Sequence, residues 1–129
     1  MPNKPKVSVE EIVLADGRYA LAAYGFLQDG LDRAASRAGD EEANRARHVT
    51  GQQFCHALRE LAQQRWGMLA RAVLGKWNIH TTIDFGNMVY LLIENNIMSK
   101  TAEDSIEDFR DVYNFREAFG GGEDFRIAE

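Results

Sequence analysis

Apolar side chains recur along this chain at steps of three and four rather than in alternation, and that spacing gathers them on one side of a helix. Leu21, Tyr24, Leu27, Leu31 and Ala34 or Ala35 predict a helix from Tyr19 to about Ala38, and Phe85, Met88, Val89, Leu92 and Ile93 form the cleanest stripe. A short helix is expected from Val9 to Leu14, with Glu10 and Glu11 suited to the positive end of its dipole. Another is expected from Met68 to Trp77, with Leu69, Ala72, Val73 and Trp77 along one side. Ile106, Phe109, Val112, Tyr113 and Phe119 read as a last aromatic stripe. No Asn-Gly or Asp-Gly turn stands between strand-like runs, so no sheet is predicted.

The starts and stops agree with these stripes. Ser8 precedes the first helix and Asp16-Gly17 ends it. In the run Arg47-His48-Val49-Thr50-Gly51-Gln52-Gln53-Phe54, Thr50 can cap a helix by accepting from the N–H of Gln53, whose amide can reach back to Thr50. Val49 and Phe54 are placed for the hydrophobic staple that accompanies such a box. The same arrangement recurs at Thr81, Asp84 and Phe85, and again at Ser105, Asp108 and Phe109. Gly67 is a natural stop for the helix begun at Thr50, and Asn95-Asn96 for the one begun at Thr81. Gly25 and Gly30 weaken the helix they interrupt unless a neighbour packs closely there, and Gly39-Asp40-Glu41-Glu42 reads as a polar connection. The fold expected is mainly α, a single compact domain of five to six helices over residues 1–119. Helices near 51, 68 and 81 give its middle a helix-turn-helix-like layout, and residues 120–129 are expected to form a flexible acidic tail.

Composition adds a charge pattern to this picture. The chain has 129 residues, suited to one domain, and a net charge of −5. The charge is uneven, because residues 43–80 are basic while the two flanking thirds are acidic. Such polarity offers a face to an acidic partner, or lets two parts of one domain attract each other. No apolar run approaches a membrane span, the N-terminus lacks an apolar signal core, and one cysteine makes no internal disulfide. A cytoplasmic protein without a cofactor or structural metal is expected.

Candidate chemistry is sparse. Cys55 and His56 are adjacent, but successive residues on a helix point about 100° apart and make no nucleophile-base pair, so a buried structural cysteine is expected. His48, His56 and His80 lack the spacing of a metal set, and His48 is expected to pack or hydrogen-bond at the helix entrance. Asp84-Phe85-Gly86 spells the magnesium-binding tripeptide of protein kinases without the motifs that accompany it there, and Gly120 to Gly122 lack the Lys-Ser/Thr of a phosphate loop. Glu103-Asp104 and Glu107-Asp108 suit the first turn of a helix. No catalytic constellation is recognisable. The residues expected to bind are Arg45, Arg47, His48 and Arg59, a basic surface for an acidic protein partner; the alternative is a nucleic-acid-binding helical domain using the same basic middle.

Taken as a set, His48-Val49-Thr50-Gly51-Gln52, Leu58-Arg59, Trp77-Asn78-Ile79, Thr82 with Asp84-Phe85-Gly86, Lys100-Thr101, Asp104-Ser105, Glu107-Asp108-Phe109 and Tyr113 resemble an uncharacterised family of small proteins found in Planctomycetes and Verrucomicrobia. The likeness spans roughly Tyr19 to Phe119. It departs from the family pattern at Gln53 and Asn87, where acids would be usual, and at Ala57, where glycine would be. The resemblance implies a shared fold and no assigned activity. It leaves His-Val-Thr-Gly-Gln two readings, a helix cap or the lining of a shared binding surface.

Overall fold

A computed structural model describes residues 7–41 and 48–120. It is mainly helical, with six α-helices and two short 3₁₀ turns and no strand among the described residues. The helices are α1 (Val9–Asp16), α2 (Leu21–Glu41), α3 (Gly51–Trp66), α4 (Ala70–Lys76), α5 (Thr82–Glu94) and α6 (Phe115–Phe119). The 3₁₀ turns are Gly67–Leu69, between α3 and α4, and Ile106–Phe109, between α5 and α6. The expected tail at 120–129 lies, apart from Gly120, outside the described residues.

The caps form as their spacing dictates. At α1, Ser8 Oγ accepts from Glu11 N–H at 3.1 Å and Glu11 Oε1 accepts from Ser8 N–H at 3.1 Å. Gly17 closes that helix at φ 77°, a left-handed conformation glycine adopts without steric cost. At α3, Gln53 N–H donates to Thr50 Oγ1 at 3.1 Å and Thr50 N–H to Gln53 Oε1 at 2.9 Å, the complete reciprocal box. Asn96, at φ 63°, follows the end of α5.

One core unites these elements, and Phe85, Leu27, Leu58, Leu74, Ile79 and Met88 are its largest fully buried side chains. Phe54 and Phe109, which follow the other two caps, are buried with them, their ring centroids 6.2 Å apart. On α2, Tyr24, Leu27 and Ala34 face inward as expected, whereas Leu21 is exposed at the first helical position. Gly30 lets α2 approach α3 closely: a Cβ there would stand 2.8 Å from Leu58 Cγ. Gly25 meets nothing within 4 Å, so the close neighbour expected for it is absent and its cost to the helix is unrelieved. The helix also continues through Gly39 and Asp40, where a connection was expected.

Two stripes differ from their sequence reading. Gly67 takes φ 54° and the 3₁₀ turn uses up Met68 and Leu69, so both side chains stand more than half exposed, at 53% and 54%. The turn shifts the inward face of α4 to Ala70 and Leu74, leaving Ala72 exposed. Trp77, at its end, packs in a trio with Phe26 and Trp66, the two indoles edge to face. The aromatic stripe after Ser105 is likewise not one helix. Arg110 is extended and Asp111 sits at φ 50°, which breaks the run into a 3₁₀ turn, a bend and α6. Long-range bonds then position the segment: Val112 N–H donates to Thr82 Oγ1 at 3.1 Å, Tyr113 Oη to the Cys55 carbonyl at 2.7 Å, and Gln63 Nε2 to the Ala118 carbonyl at 2.8 Å.

Candidate functional site

The site begins with two glycines. A Cβ on Gly51, in the first turn of α3, would lie 2.7 Å from Asp108 Cβ and 3.0 Å from Phe109 Cε1. A Cβ on Gly86, on α5, would lie 2.9 Å from Phe109 Cβ and 3.0 Å from its Cγ. These are the glycines of His-Val-Thr-Gly-Gln and Thr-x-Asp-Phe-Gly, and each removes a side chain from one side of the Phe109 ring. Phe109 is thereby seated against both helices, and the turn that carries it spans α3 and α5 from above.

A cavity of about 560 Å³ opens beside that seat. Its apolar wall comes from Leu31 on α2, Phe54 on α3, Val89 and Ile93 on α5, and Phe109. Its polar rim comes from the segment after α5 and from the residue that leads into the α3 cap, with Lys100, Asp104 and Asp108 facing His48. The size falls within the roughly 300–1,000 Å³ usual for small-ligand sites, and an apolar wall with few polar groups is their usual chemistry.

Each acid on the rim is fixed by one backbone bond. Thr101 N–H donates to Asp104 Oδ2 at 2.9 Å and Ser105 N–H to Asp108 Oδ2 at 3.0 Å, the reach-back half of a capping box made twice in succession. Asp104 Oδ1 meets His48 Nε2 at 3.4 Å, linking the two loops across the rim. Asp108 Oδ1 takes no hydrogen bond from any described residue. Tyr90, on α5, also lines the cavity, and its hydroxyl is buried without a hydrogen-bond partner among the described residues. Burial pushes the Tyr90 phenol above its ordinary range, and the negative charges of Asp104 and Asp108 add to that rise.

The expected binding residues do not gather in one place. His48 stands on the cavity rim, while Arg59 lies outside the cavity with its guanidinium 5.6 Å from the centre of the Tyr113 ring. Arg45 and Arg47 are outside the described residues. One further cation of the basic middle, Arg65, is engaged within the fold. Arg65 pairs with Asp29 at 2.7 Å, and Glu60, the lone acid of that stretch, pairs with Arg37 of α2 across an exposed surface.

The remaining candidates have structural roles. Cys55 is fully buried and burial alone pushes its thiol up to about 12, so it supplies no thiolate near neutral pH. His56 lies against the Tyr113 ring with centroids 5.7 Å apart. Asp84 of the kinase-like tripeptide is saturated by neighbours: Oδ2 accepts from His80 N–H at 2.7 Å and Thr81 N–H at 3.0 Å, and Oδ1 accepts from Tyr19 Oη at 2.6 Å. Asn87 Nδ2 in turn donates to Tyr19 Oη at 3.0 Å, tying the start of α2 to α5. Among the described residues no group of three or more His, Cys, Asp or Glu side chains could hold a metal ion, and no helix is long and apolar enough to cross a membrane.

Sequence reasoning singled out His48 and the capping residues but missed Tyr90 and Asp108 as parts of a site. Tyr90 lies between Val89 and Leu92 of the apolar stripe on α5, and nothing in that spacing signals a buried hydroxyl. No family model matches this chain, and no curated protein or solved structure matches it.

Proposed function

We propose that the protein is a non-enzymatic binding module whose site is the cavity between the start of α3, the C-terminal half of α5 and the segment from Ile97 to Phe109. The observation that carries this reading is a convergence. Residues of three separate sequence motifs, around His48, Lys100 and Asp108, meet on one cavity of about 560 Å³ that also holds a buried hydroxyl with no partner. Chemistry on a bound molecule has little support, since Cys55 is sealed in the core and His56 lies outside the cavity against Tyr113.

A basic docking face for an acidic protein or a nucleic acid is supported less well, because Arg59 is spent on Tyr113 and Arg65 on Asp29. Fragment screening by NMR tests the choice. Uncharged aromatic and aliphatic fragments should shift the amides of Val89, Ile93 and Phe109, and Ile97→Trp, at the exposed mouth, should abolish those shifts without unfolding the protein. Shifts confined to the surroundings of Arg59, or none at all, would overturn the proposal.

A further inference from the structure

We infer that the cavity takes a small organic cation, a protonated amine carried on an apolar body, with the ammonium group held at Asp108. The inference rests on the binding-module reading and gives its ligand a chemical class. Three features of the cavity support the choice of sign and shape.

First, the acids are set further in than the bases. The Asp104 side chain is 20% exposed against 41% for His48, and Lys100 is exposed, with Nζ no closer than 3.4 Å to the carbonyls of its own loop. A charge nearer the low-dielectric wall acts more strongly on a ligand than one facing water. Second, the acceptors are held in place before anything binds. One oxygen of Asp108 is fixed by Ser105 N–H, which leaves Oδ1 without a donor among the described residues. An ammonium group brings three donors and a positive charge, the complement of a carboxylate, whereas a carboxylate or phosphate would meet a like charge. Third, Phe54, Val89 and Phe109 are buried in the wall, so the rest of the ligand must be apolar to displace water there.

Three probes of one shape isolate the charge: 2-phenylethylamine, 2-phenylethanol and phenylacetate, each titrated into the full chain and followed by amide chemical shifts. The amine should bind at the cavity about tenfold more tightly than the alcohol, and phenylacetate more weakly than either, as expected for one charge-assisted hydrogen bond. Asp108→Asn should remove most of the amine's advantage while leaving the alcohol's affinity unchanged. Its amide oxygen can still accept from Ser105 N–H, so the turn is retained, and a native amide spectrum checks this. Lys100→Ala should leave amine binding equal or tighter. Equal affinity for all three probes overturns the ligand class while the cavity remains a binding site. Preference for phenylacetate, or weaker amine binding in Lys100→Ala, also overturns it, in favour of an anion. If none of the three binds, the inference fails, and the uncharged fragments of the first screen decide separately whether the binding-module reading fails with it.

Discussion

Asp84 and Asp108 occupy the same position in the same motif, third after a Ser or Thr cap and just before a core phenylalanine, and the fold uses them differently. Asp84 receives three hydrogen bonds, from His80, Thr81 and Tyr19, and so fastens the start of α2 to the start of α5. Asp108 receives one, from Ser105, and lines a cavity. The tyrosines beside them repeat the contrast. The Tyr19 hydroxyl donates to Asp84 and accepts from Asn87, while the Tyr90 hydroxyl has no partner. A cap motif therefore reports where a short helix or turn begins, and what its acid does next depends on what the rest of the chain brings to it.

The largest expected effect is global and comes at high pH. Tyr19 and Tyr24 are each pushed from 10.0 up to about 12, by burial first, with nearby carboxylates adding to it. Burial also raises Tyr113 and Tyr90, so all four tyrosines resist ionisation in the folded chain. A folded value above the unfolded one means this stabilisation is complete below about pH 10 and is lost as pH rises toward about 12. Circular dichroism and tyrosinate absorbance should change together across that window; a tyrosinate signal that rises well before the helical signal falls would contradict the burial of Tyr19.

Single substitutions sharpen the contrast locally. Asp84→Ala should cost about 3 kcal/mol, since it strands three donors, whereas Asp108→Ala should cost about 1, the usual loss of one cap; urea denaturation would measure both, and equal costs would erase the distinction. Gly86→Ala should cost about 2 kcal/mol by overpacking Phe109, and a neutral result would show that the turn is free to move away. Tyr19→Phe should cost about 1 kcal/mol through lost hydrogen bonds. Tyr90→Phe should be smallest of all, within about 0.5 kcal/mol or slightly stabilising, because it deletes a hydroxyl that has no partner to lose.

Much of the fold was legible because its signals are local. Thr50 with Gln53, or Phe85 with Met88 and Val89, interact within one turn or one face of a helix, and spacing along the chain reports them directly. The failures are non-local. Nothing near Gly51 or Gly86 announces that both make room for Phe109, which lies 58 residues from one and 23 from the other. Met68 and Leu69 fitted a helical stripe that the backbone at Gly67 rotates out of register. Net charge by segment singled out Arg59, and its cation–π contact with Tyr113 is invisible in a charge count. Asn87, where the family likeness leads one to expect an acid, is the donor that satisfies Tyr19, a role an ionised carboxylate could not fill.

The Phe109 ring rests against glycines on two different helices, and this dictates an order of assembly. Neither helix alone offers the ring a complete berth, so the Ile106–Phe109 turn locks only after α3 and α5 have met, and it acts as the keystone that holds them afterwards. The rim acids Asp104 and Asp108 travel with that keystone. The cavity therefore exists only where α3, α5 and that turn are assembled together.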